Sequence, residues 1–429
     1  MAQYKSQEYI GKRIIEIESR ITELCKQGTD LVPVPEAIPE IKLLRRELID
    51  ITDGENTIIF DKAGRPSPVF VIECDKYARA DQNTEYLGSE ASTYTDSWGS
   101  VLPGLVRNGK PVKYLFTQKY RCVRWNGKNY PIGLYGMPHA HSSYGGMTMS
   151  YDGINSACDT LNALPTMADG HKMHEITADE YAILALSFAR NAFEPHGNDS
   201  SGRSCQDSSE IGSPCDFTYQ NMMRHTLTGS GPDTWRHNGS KTGIADIRGN
   251  TRFPLAGFRT MGGEFQIIDF RNTDGCLSSS QLGSAGDWKA IQEGGALVAP
   301  GTENTYKIDF INPASSNGTT GHRINKTIVN RGANGIYSAI AGKSVKLAEG
   351  VQTAPILKYL NLLPYDLNPL LGQQYFVNSA DAERIAMCFA SWADGSGGGG
   401  SYRHGYCTRS SADNHTGGLL ASHGDSLED

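Results

Sequence analysis

The side chains best suited to chemistry in this chain gather near its C-terminal end. Between Ala393 and Leu427 there is no Lys, Glu, Gln, Met or Trp, although all five occur freely before it. What remains includes Asp394, Ser396, Ser401, Tyr402, Arg403, His404, Tyr406, Arg409, Asn414 and His415, set among Gly and Ser. Long flexible side chains lose much rotamer freedom when fixed at a contact, whereas Tyr, His, Ser and Asn give area and directional hydrogen bonds at lower entropic cost. These residues are therefore expected to bind a ligand by ring stacking and hydrogen bonding, within a segment spanning 393–424. Taken alone, the run Gly397 to Gly400 also reads as part of a flexible Gly/Ser tail.

Other reactive types are scattered. The nine cysteines form no CxxC pair and no tight Cys/His cluster, which argues against a zinc site. Most read as reduced thiols packed as small hydrophobes, with Cys205 and Cys215 the pair to watch for a disulfide. His171, His174, His196 and His237 lack the i, i+4 spacing that puts two ligands on one helix face, so structural or loop-tip roles are expected.

With 429 residues and 38% apolar content, the chain can bury one large core or two. A net charge of −7 without a basic block excludes the electrostatic footprint of nucleic-acid binding. No apolar run approaches the roughly 20 residues of a membrane span. Met1 to Lys5 leads directly into a charged helix, without the apolar core of a signal peptide. The chain is expected to be made in the cytoplasm and not to insert into a membrane.

The elements that would position the C-terminal residues read as an α+β fold. Ile10, Ile14, Ile17, Ile21 and Leu24 form an a/d heptad seam closed by Gly28, and Ile at a with Ile or Leu at d favours three or more strands. A homotrimer is expected; the alternative is an amphipathic helix lying on its own domain. Pro33, Pro35 and Pro39 impose a break, and Ile41, Leu44 and Leu48 predict a second helix ending near Asp53-Gly54. This divides the chain into a helical trimerisation and attachment segment, 1–55, a β-rich connecting region, 56–112, and a main domain, 113–429. Strands are expected over Pro68–Cys74 and Lys113–Thr117, with a hairpin around Asn126-Gly127. Helices are expected from Asp152 to Leu164 and from Thr177, whose spacing to Glu180 makes a capping box. Beyond Gly197 the reading is a small sheet with long loops and a helical turn near Asp381 to Ala386.

Between Gly136 and Asp274 the motifs fall in a familiar order. The Asp152–Leu164 helix, Asp169-Gly-His-Lys-Met-His174-Glu-Ile-Thr-Ala-Asp-Glu180, Pro195-His-Gly-Asn198, Thr228-Gly-Ser-Gly-Pro-Asp-Thr-Trp235-Arg-His237 and Gly243-Ile-Ala-Asp246-Ile-Arg-Gly249-Asn250 resemble the formylglycine-generating-enzyme-like branch of the C-type lectin fold, most of all its phage members. Arg384 to Trp392 is similar to a later strand of that family. Asp246, Gly249 and Asn250 read as a tight turn with left-handed backbone, and Trp235 and Trp392 as core anchors. The family's enzymes oxidise a substrate cysteine with a close pair of their own cysteines. That pair is missing here, since Cys388 precedes Trp392 and Cys407 lies well beyond it. Binding rather than catalysis is implied.

The C-terminal segment is similar to that of retroelement-diversified lectin-fold proteins, such as the major tropism determinants of phage tail fibres. In that family, the variable positions come from codons that cannot encode the five absent residues. The resemblance implies a receptor-binding protein at a tail-fibre tip in the virion, recognising a host-surface glycan or protein and assembled with other tail proteins. The alternative is a structural virion protein; an active oxidase of the formylglycine-generating type is the reading least supported. Related folds hold calcium, for which Asp233, Asp246, Asn250, Asp269, Asn272 and Asp274 offer oxygens, though the same residues dominate ordinary turns. No other cofactor is expected.

Overall fold

The computed structural model describes residues 6–79, 81–88, 101–141, 144–215, 218–219 and 222–428; the Met1 to Lys5 reading lies outside them. Helix α1 (Gln7–Gln27) starts at Ser6, whose side chain accepts from the Tyr9 amide, and ends at Gly28. A Cβ on Gly28 would lie 1.7 Å from the Val32 carbonyl oxygen, so only glycine lets the chain double back there. Helix α2 (Ile38–Ile51) follows the proline break and stops before Asp53 and Gly54, both at positive φ.

Strands β1 (Asn56–Phe60) and β2 (Pro66–Glu73) pair antiparallel, and β2 pairs next with β3 (Tyr114–Gln118). The hairpin β4 (Cys122–Trp125) and β5 (Lys128–Gly133) turns on Asn126 and Gly127 at φ 47° and 73°, the conformation that Asn-Gly adopts at low cost. Helix α3 (Tyr151–Asn162), the short strand β6 (His174–Glu175) and helix α4 (Ala178–Arg190) come next. At the start of α4 the Thr177 hydroxyl accepts from the Glu180 amide at 3.3 Å, and the Thr177 amide donates to Glu180 Oε2 at 3.0 Å. The capping box is present as expected.

The chain then builds β7 (Phe253–Met261), β8 (Glu264–Ile268), β9 (Trp288–Ile291), β10 (Leu297–Val298), β11 (Lys307–Phe310) and β12 (His322–Asn325). After these come β13 (Tyr337–Ala341), β14 (Gln373–Val377), β15 (Glu383–Cys388) and β16 (Arg403–Cys407). All belong to one ten-stranded sheet, ordered β10-β9-β8-β7-β15-β16-β14-β13, with β11 and β12 attached through β8. The last strand, β17 (Leu420–Gly424), returns to the first sheet and lies between β3 and β6. Helix α4 supplies Tyr181 and Phe188 to the main core, where they meet Phe253 and Phe389 in edge contacts. Full burial of each such ring contributes about 1.5–3 kcal/mol.

The mixed α+β class is as expected; several finer expectations are corrected. Ile14, Ile17, Ile21 and Leu24 are 0–2% exposed and pack within the chain against α2, β1 and the β4–β5 hairpin, with Ile10 at the margin. Mid-helix, the buried Glu18 pairs with Lys119 Nζ at 2.5 Å and accepts from the Tyr120 hydroxyl. The seam is covered by its own domain, so it is not a free trimerisation surface. Boundaries at 55 and 112 do not separate domains either: α1 shares a core with β1, and β2 hydrogen-bonds β3 across residue 112. The sheet beyond Gly197 is large rather than small, and Asp381 to Ala386 enters strand β15 instead of a helical turn. No described helix is long and apolar enough to cross a membrane.

Candidate functional site

Strand β16 carries the residues expected to bind, and its alternation sorts them. Tyr402, His404 and Tyr406 project on one side, where β14 and β13 add Tyr375 and Tyr337. Tyr337 stacks on Tyr406 with centroids 5.1 Å apart, His404 lies 4.3 Å from Tyr406, and Tyr375 lies 5.9 Å from both Tyr402 and His404. The strip runs from fully buried Tyr402 to Tyr406, which is 40% exposed. Beside it, Trp392 stacks on His415 at 4.5 Å, with the Arg224 guanidinium 4.5 Å over the indole. The result is a rigid aromatic face held by three paired strands.

Burial decides its charge. His404 is pushed down to about 2, first by burial and then by Arg252 and His415, so it is a neutral ring at physiological pH. Tyr402 is held well above its ordinary value by burial and then by Asp394, whose Oδ1 accepts from its hydroxyl at 2.9 Å.

The remaining expected ligand-binding residues mostly serve the scaffold. Arg403 points inward, its guanidinium 4.6 Å over the Tyr181 ring and bonded to the Leu360 and Tyr402 carbonyls. Ser401 is buried on Asn361. Arg409 is held by both oxygens of Glu383 at 2.9 Å and by the Leu282 carbonyl. Asp394 also accepts from the Ser391 amide and hydroxyl, which ties down the turn after β15. That turn begins at Phe389, whose φ of 48° is held in place by the surrounding aromatic core. The Asn414 carbonyl accepts from His225 and Trp392. Ser396 stands exposed in a single helical turn, away from this packing.

The glycine run is not a flexible tail. A Cβ on Gly398 would come within 2.5 Å of Ala390, and one on Gly399, at φ 150°, within 2.3 Å of the Leu371 carbonyl oxygen. The Gly400 carbonyl accepts from the Tyr181 hydroxyl and Asn361. These glycines let the segment lie flush on the core. Tyr337 and Tyr375 were missed by the sequence reading; the only signal for them was tyrosine within short apolar runs.

No family model matches this chain, and no curated protein matches it.

Further expectations resolve on geometry. Cys205 and Cys215 are not joined to each other by a disulfide. Cys388 and Cys407 lie at opposite ends of the paired stretch of β15 and β16, and burial pushes Cys388 up to about 11 and raises Cys407 too. Several of the oxygens offered for calcium are engaged within the chain: Asp269 by Arg271, Asp274 by Lys172 and the Cys276 amide, Asp233 by Lys241, Asn250 by the Thr226 amide, and Asp246 Oδ2 by the Gly229 amide, while Asp246 Oδ1 is buried without a hydrogen-bond partner. Asp246, Gly249 and Asn250 do take positive φ, as the turn reading required. Trp235 is buried.

Among the described residues, His174, Glu180 and His423 place one ligand atom each within 4.8 Å of one another, the spacing of a metal set. Glu180 is already occupied, however. Its Oε1 accepts from Arg107 Nη2 at 2.7 Å, and Oε2 from the Thr177 amide. A metal cation would sit beside that guanidinium, so the arrangement fits a buried ion network.

Proposed function

We propose that this chain is a receptor-binding protein of a phage virion, with a C-type lectin fold of the formylglycine-generating-enzyme-like branch. It would present the aromatic face of β16 to a host-surface glycan or protein. The fold proposal is supported by the order of α3, the capped helix α4, the left-handed turn at Asp246 to Asn250, β7 and β15, with the C-terminal segment laid on the sheet. The observation that carries the functional proposal is the Tyr337–Tyr406 stack continuing into His404 and Tyr375. Neutral, preordered rings offer stacking area to apolar sugar or protein faces with little entropy left to lose. Trimerisation through α1 is not part of the proposal, because its apolar seam is already covered.

Binding of the purified chain to a glycan array and to intact bacterial cells tests the proposal, with wild type compared against Tyr406→Ala and Tyr337→Ala. Loss of binding with an unchanged melting temperature supports it. Full retention by both variants overturns it and favours a structural virion protein, whose β16 face would be shielded from proteases in the assembled particle.

A further inference from the structure

A second site lies away from the aromatic face, in a groove of ≈ 400 Å³ bordered by His171, Lys172, Asp274, Cys276, Ser422 and His423. Cys276, half-buried in the loop before β9, places its Sγ 3.5 Å from Nδ1 of His174. The other ring nitrogen of His174 lies 2.9 and 3.1 Å from the two oxygens of Glu180. Glu180 is fixed in turn by Arg107 and by the first turn of α4, where the helix dipole favours an anion. One imidazole therefore bridges a thiol on one side and a buried carboxylate on the other. That is the order of nucleophile, proton holder and orienting group that makes a weak nucleophile reactive.

The three side chains come from a loop, a strand and a helix start, and the capping box needs neither Cys276 nor His174. Burial alone would lower the His174 pKa, but the Glu180 carboxylate and then Cys276 outweigh it and push it up to about 10. The ring is an imidazolium at neutral pH, with Nδ1 facing Sγ and placed to give a proton to a leaving group. His423 stacks on the same ring, centroids 5.0 Å apart, and walls it from one side. Lys172 Nζ, 3.0 Å from Asp274, closes an ion pair at the rim.

We propose that Cys276, His174 and Glu180 form a nucleophilic thiol centre that accepts an acyl group from an ester or thioester entering this groove. The thiolate attacks the carbonyl carbon and a C–S bond forms. The bond to the leaving alkoxide or thiolate breaks, and His174 gives that group its Nδ1 proton. Water, deprotonated by the now neutral ring, then cleaves the acyl-thioester, which releases the acid and restores thiolate and imidazolium.

The full-length chain treated with p-nitrophenyl acetate tests this, with nitrophenol release followed and acetylated cysteines mapped by peptide mass spectrometry. The exposed thiol Cys205 is the internal reference. The expected result is a burst of nitrophenol and acetylation of Cys276 at least about tenfold faster than Cys205, with about a hundredfold loss in His174→Gln. Cys276→Ser, whose folding is checked by its melting temperature, should lack the burst. Acetylation of Cys276 no faster than Cys205, or a burst that survives in Cys276→Ser, overturns the proposal.

Discussion

Cys407 Sγ lies 3.3 Å from Nδ1 of His404, and Cys276 Sγ lies 3.5 Å from Nδ1 of His174. The two pairs use the same atoms at nearly the same distance, yet one imidazole is neutral and the other is a cation. His404 faces tyrosines, Arg252 and His415, and burial drives it down to about 2. His174 is just as enclosed, yet Glu180 holds it charged. A buried histidine is thus made an aromatic ring or a cation by what lies on its far side. The first suits a stacking surface, and the second suits proton handling.

Removing the carboxylate should erase the contrast. Glu180→Gln leaves Arg107 and His174 without their shared anion, and stability is expected to fall by about 3–5 kcal/mol in urea unfolding. A loss below about 1 kcal/mol would mean that Glu180 does not set the charge of His174. The second effect is read against pH. The His404 pKa in the folded protein lies below the unfolded reference of about 6.5. Above that reference both states are neutral; below it the unfolded chain takes a proton that the folded chain refuses. His404 should therefore cost about 1.4 kcal/mol of stability per pH unit on acidification below that point. His174 behaves in the opposite sense: its contribution is fully present below about 6.5 and is lost as pH rises toward about 10. Unfolding free energies across this range should show the acid slope reduced in His404→Phe and unchanged in Cys276→Ser.

A smaller effect separates the buried end of the aromatic strip from its exposed end. Tyr402→Phe deletes the hydroxyl bonded to Asp394 and should cost about 1 kcal/mol. Tyr406→Ala, at the exposed end, should change stability by no more than about 0.5 kcal/mol while removing ligand binding. Should Tyr402→Phe abolish binding with no cost in stability, the assignment of the two ends would be reversed.

Local rules made part of this legible. The Asn126-Gly127 hairpin, the Thr177–Glu180 cap and the left-handed positions at Asp246 and Asn250 are decided by neighbours within a few residues, and all were read from the sequence. The rest depends on distant partners. Asp381 to Ala386 has a helical look, yet it lies against β7 and β16 and takes its conformation from them. Gly397 to Gly400 read equally well as a tail, because nothing nearby announces the Leu371 carbonyl or Ala390 pressed against them. The α1 heptad correctly reported a buried stripe but could not say whether the cover is another subunit or the chain's own hairpin. Glu180 reads as a cap; its second role, toward Arg107, has no local signature because Arg107 lies 73 residues away. Nothing in the local sequence around Cys276 pointed to His174.

The placement of β17 has a consequence for biosynthesis. The Leu420 amide donates to the Gln118 side chain across 302 residues, and the strand it begins lies inside the first sheet, between β3 and β6. During translation, β3 must wait with one edge unpaired until residues near 420 leave the ribosome. Such an edge is a template for wrong partners, and closing so long a loop is slow. At about 5–20 residues per second, the exposure lasts from roughly 15 seconds to a minute on each new chain. The nascent protein is therefore expected to need a chaperone over that interval, although its finished sheet leaves β3 paired on both sides.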